Sequence, residues 1–381
     1  MTADIDALWR AFEDQFSRAP SVVSTAPGRV NLIGEHTDYN AGLVLPVAID
    51  RTVTVAAAGG GETVRVYSAD FEARDEWRID APRRTGRTEW RDYLRGVAWA
   101  LLDAGHKLSG GELVIGGDVP QGAGLSSSAA LEVATAGALL ALSGIQIEPR
   151  ALALLCQKAE NQFVGVQCGI MDQLAAACCR GGHALLIDCR SLEVEHVPLP
   201  PGVVIIVVNS GVTRRLEETS YNRRRCECAE VARMLRVASL REAGEATLEA
   251  SRDRLPETLF RRARHVVTEN TRVLAAAEGL RSSNIEAVGH LMFESHASLR
   301  NEFEVSTPEL DLLVEFASRT EGVLGSRLTG AGFGGCTVNL VAEGAEKRFR
   351  AEVVERYRRE TGLVAEMHVC HAVRGLEVRS V

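Results

Sequence analysis

A glycine-rich stretch that passes into small hydroxyl residues and then a long helical pattern constrains this chain most. It reads Asp118-Val-Pro-Gln-Gly-Ala-Gly-Leu-Ser-Ser-Ser-Ala-Ala-Leu-Glu132, and the alanine- and leucine-rich pattern runs on to about Leu142. A glycine loop entering a helix leaves backbone N–H groups unpaired at the positive end of the helix dipole, a physical recipe for holding phosphate. Ser126, Ser127 and Ser128 add hydroxyls able to bond a phosphate oxygen or ligate Mg²⁺. The segment has no Gly-Lys-Ser/Thr and is not the common P-loop. Ser126 as an ordinary N-cap after a turn explains the segment equally well.

At 381 residues the length prior is two or three domains, and 46% hydrophobic residues are enough to build sizeable cores. A net charge of −8 argues against a nonspecific grip on nucleic acid or an anionic membrane. An anionic ligand must then be held by local donors and a metal. Lys107, Lys158 and Lys347 are the only lysines, so a phosphate clamp is expected to be arginine. The nine cysteines form no Cys-x-x-Cys pair and no zinc-ligand spacing. Met1 to Phe16 is acidic and amphipathic rather than leader-like, and the apolar run Val203–Val208 is far too short to span a bilayer. A soluble, reduced, cytoplasmic protein is expected.

Short β-branched runs predict strands at Ser21–Thr25, Val30–Ile33, Leu43–Ile49, Thr52–Ala57 and Thr63–Tyr67, then at Glu112–Gly116, Ala184–Asp188 and Val203–Asn209. Helical periodicity covers Trp90–Ala104, the segment after the serine loop, Pro149–Val164, Met171–Cys179 and most of Glu217–Phe316, with Thr307-Pro308 as a cap and N1 proline. The tail returns to strand, helix and strand at Cys336–Val341, Ala345–Glu360 and Val364–Val373. The prolines 198, 200 and 201 suit a passage between domains. The expectation is an α+β chain of two domains, 1–195 and 196–381, with a cleft between them. The boundary is approximate, and the last segment is free to pack back on the first domain. Gly330-Ala-Gly-Phe-Gly-Gly335 matches G-x-G-x-x-G formally, but a dinucleotide fingerprint needs a strand before it and a helix after. What remains is a glycine loop that lets backbone approach a ligand, or another loop in a tight hairpin. The Arg223-Arg224-Arg225 run reads as a helix surface.

Ala26-Pro-Gly-Arg-Val-Asn-Leu-Ile-Gly-Glu-His-Thr-Asp-Tyr-Asn40 gathers Arg29, Glu35, His36, Thr37 and Asp38 near a turn. Groups of both signs on one loop suit a polyol, whose hydroxyls donate and accept. A solvated polar turn is the alternative. This stretch resembles the signature of the galactokinase family, within the GHMP small-molecule kinases, and the resemblance extends over nearly the whole chain. The serine loop looks like the family's ATP-binding motif, and Leu328–Cys336 like its third motif, a glycine loop near the nucleotide phosphates. Ala159–Gly165, Cys168–Leu174, Ser220–Arg224 and Ser295–Asn301 follow the family in order.

The resemblance implies an ATP- and Mg²⁺-dependent kinase that phosphorylates α-D-galactose at O1, in a two-domain fold with the active site in the cleft. It implies Asp172 as catalytic base with Arg29 beside it and the transferring phosphoryl group. Glu35, His36, Thr37, Asp38, the backbone at Gly169, and Tyr221 would hold the sugar. Gly122, Ala123, Gly124, Leu125, Ser126, Ser127 and Ser128, with Gly332, would wrap the nucleotide, and Ser128 and Glu160 would hold Mg²⁺. The partners are then a sugar and ATP, with no nucleic acid and no membrane, and a monomer is expected. Another sugar 1-kinase, acting on N-acetylgalactosamine, galacturonate or arabinose, and a non-catalytic galactose- and ATP-binding sensor are the alternatives. Taken singly, Asp172 reads as a helix N-cap, Arg29 as a surface arginine, Glu160 as a solvated helix residue and Tyr221 as a half-buried aromatic.

Overall fold

The β-branched runs of the first half pair into a six-stranded sheet. In spatial order it comprises Glu377–Ser380, Val22–Asn31, Pro46–Gly59, Gly111–Gly117, Thr63–Ser68 and Ala73–Arg78, antiparallel except where Thr63–Ser68 runs parallel to Gly111–Gly117. The computed structural model describes residues 5–86, 89–212 and 217–381, the side chains of 217–219 excepted. A four-stranded sheet is ordered Val323–Thr329, Cys336–Ala342, Val203–Asn209 and Glu366–Cys370, and a three-stranded one Leu43–Val44, His183–Asp188 and Glu193–Pro198.

The apolar run Val203–Asn209 is buried on both faces, as continuous rather than alternating hydrophobicity demands. Ile205 and Val207 join a core shared with the first sheet and with the helix Ser127–Leu142. Ile206 and Val208 face Phe316, Phe349 and Tyr357. The helix Ser127–Leu142 lies against both Val22–Asn31 and Pro46–Gly59, which is why its sequence is apolar all round. A separate cluster packs the helix Glu257–Arg281 against Val231, Phe303 and Leu310.

Several elements differ from expectation. Ser21–Thr25 and Val30–Ile33 belong to one strand, Val22–Asn31, which passes Pro27-Gly28 by a register shift between Pro27 and Arg29. A bulge accommodates a proline that cannot donate to the ladder. Leu43–Ile49 and Thr52–Ala57 are instead the short Leu43–Val44 and one fourteen-residue strand, Pro46–Gly59. Ala73–Arg78, Glu193–Pro198 and Glu377–Ser380 are strands without a clear sequence signal, because charged, exposed residues dilute their alternation. The Gly330–Gly335 loop joins Val323–Thr329 to Cys336–Ala342 in an antiparallel hairpin. Arg224 is no surface residue: it is buried, with Nε donating to the Phe303 carbonyl at 2.7 Å and Nη2 to the Glu304 carbonyl at 3.1 Å.

Candidate active site

The bulge at Pro27–Arg29 has a steric reason. A Cβ on Gly28 would meet the Leu125 carbonyl oxygen at 2.6 Å, so only glycine lets the serine loop lean on this strand. The Arg29 N–H donates to that same carbonyl at 3.0 Å. The arginine is thereby aimed inward: Nη1 donates to the Gly124 carbonyl at 2.7 Å, and Nε and Nη2 reach Asp172 Oδ1 at 2.8 and 2.6 Å. Asp172 is the second residue of the helix Met171–Cys178 rather than its cap, near the positive end of that helix. Its other oxygen, Oδ2, accepts from the Ser126 hydroxyl at 2.5 Å. Ser126 does not cap its helix. It adopts a left-handed backbone conformation (φ 63°), and its hydroxyl is spent on Asp172.

Arg29 and Asp172 stand on the wall of a cavity of about 640 Å³, together with Glu35, His36, Asp38, Gly169 and Tyr221. The residues Asp38 and Gly169 are in intimate contact, for a Cβ on Gly169 would fall 1.8 Å from Asp38 Oδ2. Burial, reinforced by the neighbouring charge of Asp172, lifts the Asp38 carboxyl to about 6, although the cavity leaves it partly accessible. Burial and the nearby His265 press the His36 pKa down to about 3, so this imidazole is neutral. Its partners fix the tautomer: Nε2–H donates to the Ala331 carbonyl at 3.0 Å, and Nδ1 accepts from the Tyr39 hydroxyl at 2.9 Å. The Tyr221 ring packs against His36 and Tyr39, with centroids 5.7 and 5.3 Å away. Glu35 braces the loop as well as lining the cavity. Its Oε2 accepts from Asn31 Nδ2 at 2.7 Å, and Oε1 from the Gly330 N–H at 2.7 Å and the Thr329 hydroxyl at 3.1 Å.

Three expected ligand contacts are not on this wall. Thr37 is fully buried behind it, its hydroxyl lying 2.8 and 2.7 Å from the Gly34 and Leu43 carbonyls. Gly332 turns toward Val305, whose carbonyl leaves no room for a Cβ, while Gly330 and Ala331 line the cavity instead. Ala123 points its methyl into the core, with Gly122 and Gly124–Ser128 facing the cavity.

A second cavity, of about 530 Å³, opens on the other side of the serine loop. Gly122, Ser127, Ser128 and Tyr93 line both. Its far end is aromatic: Phe71 and Trp90 stack with centroids 5.9 Å apart and planes 5° from parallel. Neither ring was singled out from the sequence, since an exposed Phe and a helix-start Trp carry no motif. A more open hollow of about 1240 Å³ beside Pro149 and Arg374 contains none of the expected residues.

Glu160 lies on a widened, π-type turn, Ala159–Val164, that follows the helix Pro149–Lys158. Such turns recur at functional sites because they re-aim a side chain. Rather than facing solvent, Glu160 is buried, with Ser128 on the same cavity, and burial first, then the charge of Asp172, lifts its carboxyl to about 7. A hydroxyl and a carboxylate are hard oxygen donors that fit Mg²⁺, which takes few protein ligands and completes its shell with phosphate and water. Among the described residues no group of three or more His, Cys, Asp and Glu is arranged to enclose a metal, and no helix is long and apolar enough to cross a membrane.

Three family models match the chain in order: the galactokinase galactose-binding signature over residues 10–59, the GHMP kinase N-terminal domain over 92–182 and the GHMP kinase C-terminal region over 276–359. The chain is 50% identical to a galactokinase of Roseiflexus sp. (strain RS-1) and 46% identical to one of Chloroflexus aggregans, covering 98% of this chain and 97% of each relative. The structure of Lactococcus lactis galactokinase complexed with galactose superposes with a TM-score of 0.95 at 36% identity, covering 98% of this chain and all of that one. Methanococcus jannaschii mevalonate kinase shares the fold at 19% identity and a TM-score of 0.67. With identity of this level over almost its whole length, and the signature loop, serine loop and glycine hairpin converging on one cavity, the chain belongs to the galactokinase family of GHMP kinases.

Proposed function

We propose that this protein transfers the γ-phosphoryl group of ATP to O1 of α-D-galactose, giving galactose 1-phosphate and ADP. One observation carries the reading: the serine loop is a wall shared by two cavities, one holding Asp172 and Arg29, the other ending in stacked aromatic rings. A nucleotide with its base beside Phe71, Trp90 and Tyr93 would run its phosphates along Gly122–Ser128 toward the sugar.

Phosphoryl transfer asks a protein mainly for positioning and charge stabilisation. Asp172 is the group that accepts the O1 proton, and its carboxylate is oriented from two sides by Arg29 and Ser126. Arg29, anchored on the Gly124 carbonyl, sets a fixed positive charge where the γ-phosphoryl oxygens arrive. Backbone N–H groups at the start of the helix Ser127–Leu142 receive the phosphates. Asp38, His36, Glu35, Tyr221 and the Gly169 backbone surround the sugar hydroxyls. Ser128 and Glu160 would hold Mg²⁺, which when bound offsets the charge of the β- and γ-phosphates.

The test is ADP release from Mg-ATP across galactose, 2-deoxygalactose, glucose, N-acetylgalactosamine and arabinose, with Asp172→Asn alongside. Galactose-dependent turnover that falls at least ~100-fold in the variant, with galactose still bound, is the expected result. Turnover confined to another sugar would move the substrate, and binding of galactose and ATP without turnover would make the protein a sensor.

A further inference from the structure

Glu160 is tied to side chains that the mechanism above does not use. Gln173, fully buried, donates from Nε2 to Glu160 Oε2 at 2.6 Å and to Glu132 Oε2 at 3.1 Å. Cys168 adds its thiol to the same Glu160 oxygen at 3.2 Å. Glu132 is also fully buried, and it stands four residues after Ser128 on the helix Ser127–Leu142, hence on the same face. Among the described residues neither Glu132 nor Glu160 has an arginine or lysine within ion-pair distance, and Glu132 Oε1 has no hydrogen-bond partner.

Two acidic side chains buried side by side without a cation invite neutralisation by arginine, a residue this chain uses forty times against three lysines. The two side chains that hydrogen-bond the Glu160 carboxylate are instead both neutral donors, an amide and a thiol. Neutral donors orient a carboxylate while leaving its charge for a cation. An arginine in the same place would compete with the metal.

We infer that Gln173 is a positioning residue for the metal-holding arm: its amide aims Glu160 at the Mg²⁺ position, and Glu132 fixes the second amide hydrogen so that the amide cannot turn away. Gln173 is the next residue after Asp172 on the helix Met171–Cys178, so the brace for the metal arm and the base move as one rigid unit. The inference rests on the reading of Glu160 as a metal ligand.

The measurement is calorimetric: the gain in affinity for a non-hydrolysable ATP analogue on adding Mg²⁺, in wild type, Gln173→Met, Glu132→Gln and Glu160→Ala. Galactose affinity without metal and the melting temperature are recorded for each. The gain is expected to vanish in Glu160→Ala and to shrink about tenfold in Gln173→Met, at unchanged galactose affinity. In Glu132→Gln, which still offers Gln173 an acceptor, it should stay within about twofold of wild type. A wild-type gain in Gln173→Met, with the gain lost in Glu160→Ala, overturns the inference and leaves the metal reading standing. A wild-type gain in Glu160→Ala overturns both. Gln173→Asn, which keeps the amide but withdraws it by one methylene, gives the same test with the polar group retained, and an undiminished gain there also overturns the inference.

Discussion

Asp38 Oδ2 and the Cα of Gly169 are packed so closely that any side chain at 169 must displace the carboxylate. Gly169→Ala is therefore expected to weaken galactose binding by about 100-fold, since a misplacement near 1 Å costs that much, while leaving ATP affinity within twofold. Paired titrations of sugar and nucleotide check this. Asp38 carries a second consequence. Because burial and the charge of Asp172 lift its pKa to about 6, it takes up a proton as the pH falls through 6 and loses acceptor capacity toward sugar hydroxyls. Galactose affinity should accordingly weaken below pH 6 in wild type and be flat there in Asp38→Asn. The residue types at this end were legible in the sequence, as a polar loop fit for a polyol. Thr37 looked no different from its neighbours there, and only the carbonyls of Gly34 and Leu43 closing over its hydroxyl remove it from the wall.

The helix Glu257–Arg281 acts as a clamp on the signature loop. Glu269 accepts the Gly34 N–H at 2.9 Å, Asn270 Oδ1 accepts the Leu43 N–H at 2.8 Å, and His265 Nε2–H donates to the Glu35 carbonyl at 3.1 Å. Burial opposes the Glu269 carboxylate, but Arg272 and the other cations around it override that cost and hold its pKa at about 2. His265 is driven to about 4, by burial above all. An unfolded histidine protonates near 6.5 and the folded one does not until about 4, so stability is lost as pH falls through that window. Wild type should lose about 2 kcal/mol relative to His265→Gln between pH 7 and pH 5. Denaturant midpoints of both proteins at the two pH values measure it, and parallel curves would refute it. Nothing in the sequence marks this helix as a clamp. Its histidine, glutamate and asparagine look like a solvated face until a loop some 230 positions earlier is laid across them.

Across the whole molecule, the last strand returns to the first. Glu377–Ser380 completes the first sheet by pairing with Val22–Thr25, and Leu376 and Val378 close over Gly137 of the serine-loop helix. Gly137 is required there, because a Cβ would strike Ser24 Oγ at 2.5 Å. Removing 376–381 opens an edge on the strand that leads to Arg29 and uncovers the far end of the helix that begins at the phosphate loop. The truncation should lower the melting temperature by about 5 °C or more, with a smaller loss of turnover than any change at Asp172, as thermal unfolding and ADP release would record. The sequence by itself determined what depends on neighbours along the chain. That covers the helix after the serine loop, the Thr307 cap that accepts from the Leu310 N–H, the strand Val203–Asn209 and the rejection of a dinucleotide fingerprint. These follow from turn chemistry, capping and periodicity, all short-range. The tertiary structure alone decided that Arg29 meets Asp172 across 143 residues, that Ser126 serves the base instead of its helix, and that Gln173 joins two buried carboxylates. Such contacts depend on how sheets and helices stack, and neither partner's local sequence records the other.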